Sequence, residues 1–112
     1  MKVLVDTNVV MDALEGEEPF FDIANQVLKL CAQKRVEGYL AAHSVTNLFY
    51  LLRKRRSNDE CRDVLLNLLE FFRIERIDAE KLKTALLNRA FKDFEDCVQE
   101  ECAESYGAEY IV

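Results

Sequence analysis

The chain has 112 residues, half of them hydrophobic, which is enough for one real core and too little for two domains. Its 15 Lys and Arg against 21 Asp and Glu leave a net charge of -6, excluding a protein that holds nucleic acid chiefly by general attraction, but not an enzyme that gathers acids around metal ions. No apolar run approaches the roughly 20 residues that span a bilayer, and Met1-Lys2-Val3 reaches Asp6 too soon for a signal peptide; the expectation is one cytoplasmic domain over residues 1–112.

In chain order, Val3-Leu4-Val5 predicts a buried strand that stops at Asp6, followed by Thr7 and Asn8. Such a strand delivers its terminal carboxylate to the carboxyl edge of a parallel sheet, where open α/β folds bind ligands. An N-cap for a first helix over Val9 to Leu14 accounts for Asp6 equally well. Phe20, Ile23, Ala24, Val27, Leu28 and Cys31 then recur at the three-and-four spacing of an amphipathic helix, set off by Gly16 and Pro19.

Tyr39-Leu40-Ala41-Ala42 after Gly38 reads as a short buried strand. His43 and Ser44 lead into a helix with Val45, Leu48, Phe49 and Leu52 inward, Ser44 being its expected N-cap. Asn58 and Asp59 open another helix, striped by Cys61, Val64, Leu65, Leu68 and Leu69. Phe72 to Ile77 suits a half-covered strand, and Ala79 to Arg89 and Asp93 to Tyr106 read as two helices. Gly107 is a good helix stop before a last strand in Glu109-Tyr110-Ile111-Val112. Strands alternating with helices predict a parallel sheet covered on both faces. Cys31, Cys61, Cys97 and Cys102 form no C-x-x-C pair, and buried free thiols are the expectation.

Asp93 and Asp96 are three apart on one face of the last helix, with Phe94, Cys97 and Val98 expected toward the core. An N-cap with first-turn charge explains the pair by itself. Topology adds a second reading, because helices of such a fold begin near the sheet edge that presents Asp6. Acids converging from separate segments repel one another unless a cation lies between them, and hard oxygen donors suit Mg2+ or Mn2+.

Val5-Asp6-Thr7-Asn8-Val9-Val10, the helix Thr46-Asn47-Leu48-Phe49-Tyr50-Leu51-Leu52-Arg53-Lys54, the run Asp93-Phe94-Glu95-Asp96-Cys97-Val98 and the closing Gly107-Ala108-Glu109-Tyr110-Ile111-Val112 together resemble a PIN domain. The resemblance runs through essentially the whole chain. It implies a three-layer α/β/α sandwich around a central parallel sheet, and a metal-dependent nuclease acting on RNA. Many such proteins are toxins of toxin-antitoxin pairs and form homodimers. Residue by residue, it implies that Asp6 and Asp96 bind Mg2+ or Mn2+, that Asp93 lies at the same cleft, and that Thr7 and Asn8 support the first motif. Two features depart from the family pattern. Asn47 stands where most members carry a glutamate, and the Thr-Asp or Thr-Asn motif expected after Val112 is absent, so the chain reads as truncated before its last motif.

Arg53-Lys54-Arg55-Arg56 is the candidate RNA contact, its alternative being a solvated helix end that complements the dipole. His43, the single histidine, reads as a surface or capping residue rather than a catalytic base, and Tyr39, Tyr50, Phe71 and Phe72 read as core before base-stacking residues. Glu100, four residues after Asp96, either extends the acidic face or is solvated.

The leading function is a metal-dependent endoribonuclease with Asp6, Asp93, Asp96 and Asn47 as its working residues. An alternative from a different class is a catalytically silent module that binds nucleic acid or protein. A phosphotransfer enzyme with Asp6 as nucleophile, as in haloacid-dehalogenase-like phosphatases, fits least, because the second acid it wants two residues on is Asn8.

Overall fold

A computed structural model describes residues 1–90 and 93–112. The strands are β1 (Lys2–Leu4), β2 (Glu37–Ala41), β3 (Phe72–Glu75) and β4 (Tyr110–Ile111). They form one parallel sheet in the order β3-β2-β1-β4. Helices α1 (Thr7–Glu15) and α2 (Phe20–Ala32) connect β1 to β2, α3 (Ala42–Leu52) and α4 (Asn58–Leu69) connect β2 to β3, and α5 (Ala79–Leu87) and α6 (Phe94–Ser105) connect β3 to β4. The expected α/β/α sandwich is what forms.

Period-two alternation in the short strands divides the core between two faces. Val3, Val5 and Leu40 point to one side, where they meet Val10, Cys31, Leu48, Leu52, Cys61 and Leu65 of α1 to α4. Leu4, Tyr39 and Ala41 point to the other, onto Ala85, Cys97, Val98, Cys102 and Ala103 of α5 and α6. All four cysteines are buried free thiols, as expected. On the second face the Tyr39 and Tyr106 rings stack with centroids 3.9 Å apart.

Two local expectations, for Ser44 and Phe94, need correction. Ser44 is not a cap: β2 runs straight into α3, whose N-cap position is Ala41, and Ser44 lies fully buried in the first turn. Asn58 and Asp59 open α4 as expected, and Ser57 before them is its N-cap, in a capping box with Glu60. Phe94 was expected in the core beside Cys97 and Val98, yet it is 44% exposed because it begins α6 at the open end of the sheet.

Two connections lead from β1 toward β3 on one side, while the last crossover carries the chain back across to β4 on the other. The order of the strands therefore reverses at β1, the kind of place where open parallel sheets bind ligands, outside the carboxyl ends of the strands.

Candidate active site at the carboxyl edge of the sheet

Asp6 lies immediately past β1 at that reversal and is half-buried. Its backbone is committed on both sides: its N–H donates to the Val112 carbonyl at 2.7 Å, and its carbonyl accepts from Val9 N at 3.1 Å and Val10 N at 3.3 Å as α1 begins. Its position is the N-cap of α1, but its side chain makes no capping hydrogen bond among the described residues. The backbone thus holds the residue in place while the carboxylate keeps its acceptor capacity for another partner.

Helix α6 lies over the second face, packed against β1 and β4. Asp93 is its N-cap, and one carboxylate oxygen accepts from Asp96 N at 3.2 Å. Asp96 sits in the first exposed turn, where the helix dipole favours its charge. Both the capping and the clustering readings of this pair therefore describe the same residues. The acids make themselves felt on Cys97: burial pushes its thiol pKa up, and the neighbouring Glu100, Asp96, Asp93 and Glu101 push it further the same way.

Asn47 is exposed in the second turn of α3, and Asn8 is exposed in the first turn of α1. Thr7 is buried at 6% exposure, with its hydroxyl lacking a partner among the described residues. The basic run lies elsewhere. A helix rises 1.5 Å per residue, so α3 carries Arg53 to Arg56 about 16 Å from its start at the carboxyl edge. There Arg56 Nε meets Glu15 Oε1 at 3.2 Å, and the Arg53 guanidinium lies over the Tyr50 ring. These four cations are not brought to the acids.

Two features have no counterpart in the sequence reading. Gln99 of α6, only 4% exposed, donates from Nε2 to the buried Ser44 hydroxyl at 3.4 Å, joining the helix that follows β2 to the one that precedes β4. His43 Nε2 lies 3.4 Å from Glu95 Oε1, a close approach between the same helices without hydrogen-bond geometry. Each partner lies far from the other in the chain, so no local pattern announces the contact.

The donor set fits a Mg2+-type ion in kind: Asp6 has a carboxylate not used in capping and Asp96 a solvent-facing one, and such an ion uses one or two protein carboxylates and keeps several waters. Among the described residues no three His, Cys, Asp or Glu side chains close into a ready-made cage. No helix there is long and apolar enough to cross a membrane.

Comparison with solved structures places the same architecture in proteins of very different sequence. The chain is similar to VapC20 of Mycobacterium tuberculosis, a sarcin-ricin-loop-cleaving toxin, at 16% identity and a TM-score of 0.73, over 97% of this chain and 86% of that one. It is also similar to VapBC2 of Rickettsia felis, solved bound to a DNA fragment from its promoter, at 15% identity and a TM-score of 0.70, over 100% and 87% of the two chains. No curated protein matches it significantly. The family model described as the PIN domain matches residues 2–112, and the chain belongs to the PIN domain family.

Proposed function

We propose that this protein is a divalent-metal-dependent endoribonuclease of the toxin-antitoxin kind. The observation that carries the proposal is the Asp6 carboxylate, fixed by backbone bonds at the sheet reversal and left free by the helix it begins. Family membership and the fold shared with a sarcin-ricin-loop-cleaving toxin support it.

In this reading Asp6 and Asp96 hold Mg2+ or Mn2+. Asp93 keeps the first turn of α6 in place through its bond to Asp96 N and borders the cleft. Asn47 offers a neutral amide to water or substrate, and Thr7 and Asn8 brace the turn after β1. A bound ion would activate water and neutralise charge on the phosphorus oxygens. The protein's own contribution is to gather carboxylates that repel one another without the ion. Arg53 to Arg56 would meet the strand several nucleotides away. The proposal extends to a homodimer in the cytoplasm held in check by an antitoxin protein, the VapBC2 assembly being the model for such a pair.

The test is Mn2+ and Mg2+ calorimetry followed by cleavage of single-stranded RNA, with Asp6→Asn beside the parent. The variant should lose both ion binding and cleavage, by about 100-fold or more in rate. Full cleavage by the variant would sink the assignment. Asn47, neutral where most family members carry an acid, favours one other reading, a silent binding module. RNA binding indifferent to both ions, with no turnover, would establish it.

A further inference from the structure

A groove of about 550 Å³ opens beside the candidate site, within the range of ligand pockets. Its walls come from four segments that end or begin at the carboxyl edge. His43 and Thr46 belong to the start of α3, Ile77 to the turn after β3, Leu82 to α5, and Phe94 and Glu95 to the first turn of α6. The lining is mostly apolar, but at one end Glu95 is half-exposed, at 47% of its side chain, 3.4 Å from His43. Both His43 ring nitrogens are shielded from solvent and lack a hydrogen-bond partner among the described residues.

We infer that this groove is a nucleobase subsite, and that it prefers guanine. The inference rests on the nuclease reading for the position of the strand, while the groove itself stands on its own geometry. Phe94 and Glu95 lie between Asp93 and Asp96 in the chain, so the groove borders the same helical turn as the candidate acids. Neighbouring strands are about 4.8 Å apart, so the ends of β2 and β3 stand about 5–10 Å from that of β1. That is the distance over which a base reaches sideways from a phosphodiester held at Asp6.

The chemistry of the walls selects the occupant. Phe94, exposed at 44%, offers a face on which an unstacked base can lie, as single-stranded RNA is commonly read. The Glu95 carboxylate is an acceptor with two oxygens, and guanine alone among the four bases presents two adjacent donors, N1–H and the exocyclic amine, to such a group. An apolar face of a second protein would have to cover this carboxylate and the imidazole beside it at a desolvation cost.

His43 is the single histidine, so its imidazole proton resonances form one unambiguous reporter inside the groove. Titrating guanosine, adenosine, cytidine and uridine into the full chain without metal should move those resonances saturably, with guanosine bound about tenfold more tightly than uridine. Glu95→Gln should remove that preference, and Phe94→Ala should weaken every nucleoside by about fivefold or more. No movement with any nucleoside overturns the subsite. So does a Phe94→Ala protein that binds nucleosides normally but dissociates from dimer to monomer in sedimentation, which makes the groove an interface between copies. The cleavage assay keeps the two readings apart. Guanosine binding without Mn2+-dependent cleavage retains the subsite and removes the nuclease, whereas cleavage at phosphodiesters irrespective of the adjoining base removes the subsite and retains the nuclease.

Discussion

Gly38 of β2 lies in register with Phe72 of β3, under the last turns of α2. A Cβ added there would stand 2.6 Å from Cys31 Sγ and 2.8 Å from the Phe72 ring, closer than packed atoms tolerate. Both neighbours are buried, so neither has free space to retreat into. Gly38→Ala should therefore lower stability by about 1–3 kcal/mol, as overpacking does. In urea the midpoint should fall with the slope unchanged; a midpoint within error of the parent's would mean that Cys31 and Phe72 yield freely. From the sequence, Gly38 reads only as the boundary before a strand. Its steric role is set by side chains brought in from two other elements, which no local pattern encodes. Ser44 misleads for a related reason. Serine favours caps, but this one is buried because Gln99 satisfies it from the far end of the chain.

Helix starts separate structural acids from available ones. Ser57 accepts from Glu60 N at 3.2 Å, Asp78 from Lys81 N at 2.9 Å and Asp93 from Asp96 N at 3.2 Å. Asp6, of equal capping propensity and at the equivalent position of α1, makes no such bond. Ser57→Ala should cost about 1 kcal/mol, the usual worth of a cap. Asp6→Asn should change stability by less than about 0.5 kcal/mol while removing ion binding. Urea denaturation of both variants, without metal, checks the contrast, and a loss in Asp6→Asn as large as in Ser57→Ala would make Asp6 a structural cap after all. The strand-and-helix order was legible because hydrophobic period and cap chemistry are local. Which cap keeps its side chain free was not, since Asp6 and Asp93 offer the same signal and differ only in where the backbone aims the carboxylate. Nor was the exposure of Phe94, which depends on the sheet ending beneath it.

At the scale of the whole molecule, the layer formed by α5 and α6 carries two of the candidate acids and must be held against a sheet whose strands are only two to five residues long. Besides the Gln99–Ser44 bond, a polar junction at Glu75 helps the apolar contacts of that face. Glu75 at the end of β3 accepts from Lys81 Nζ of α5 at 2.8 Å and from Ser105 Oγ of α6 at 2.9 Å, and Lys81 also donates to the Arg76 carbonyl. The Glu75 and Lys81 side chains are only 18% and 11% exposed. Burial of Glu75 by itself would raise its pKa. The hydrogen bonds from Lys81 and Ser105, with the charges of Lys81 and Arg76, outweigh that and hold it below its ordinary value of 4.5. A carboxyl depressed in the folded state binds fewer protons there than in the unfolded chain, so its contribution is complete above the ordinary value and is lost as pH falls through the folded one. Glu75→Gln should destabilise the protein by about 2 kcal/mol near neutrality, since it leaves Lys81 nearly buried without its counter-charge. The gap between parent and variant should then close as pH falls below that ordinary value of 4.5 and through the depressed folded one. Urea unfolding across that range measures it directly: converging curves place the acid sensitivity of the second layer at Glu75, whereas parallel curves would show that the junction fastens α5 and α6 without contributing to it.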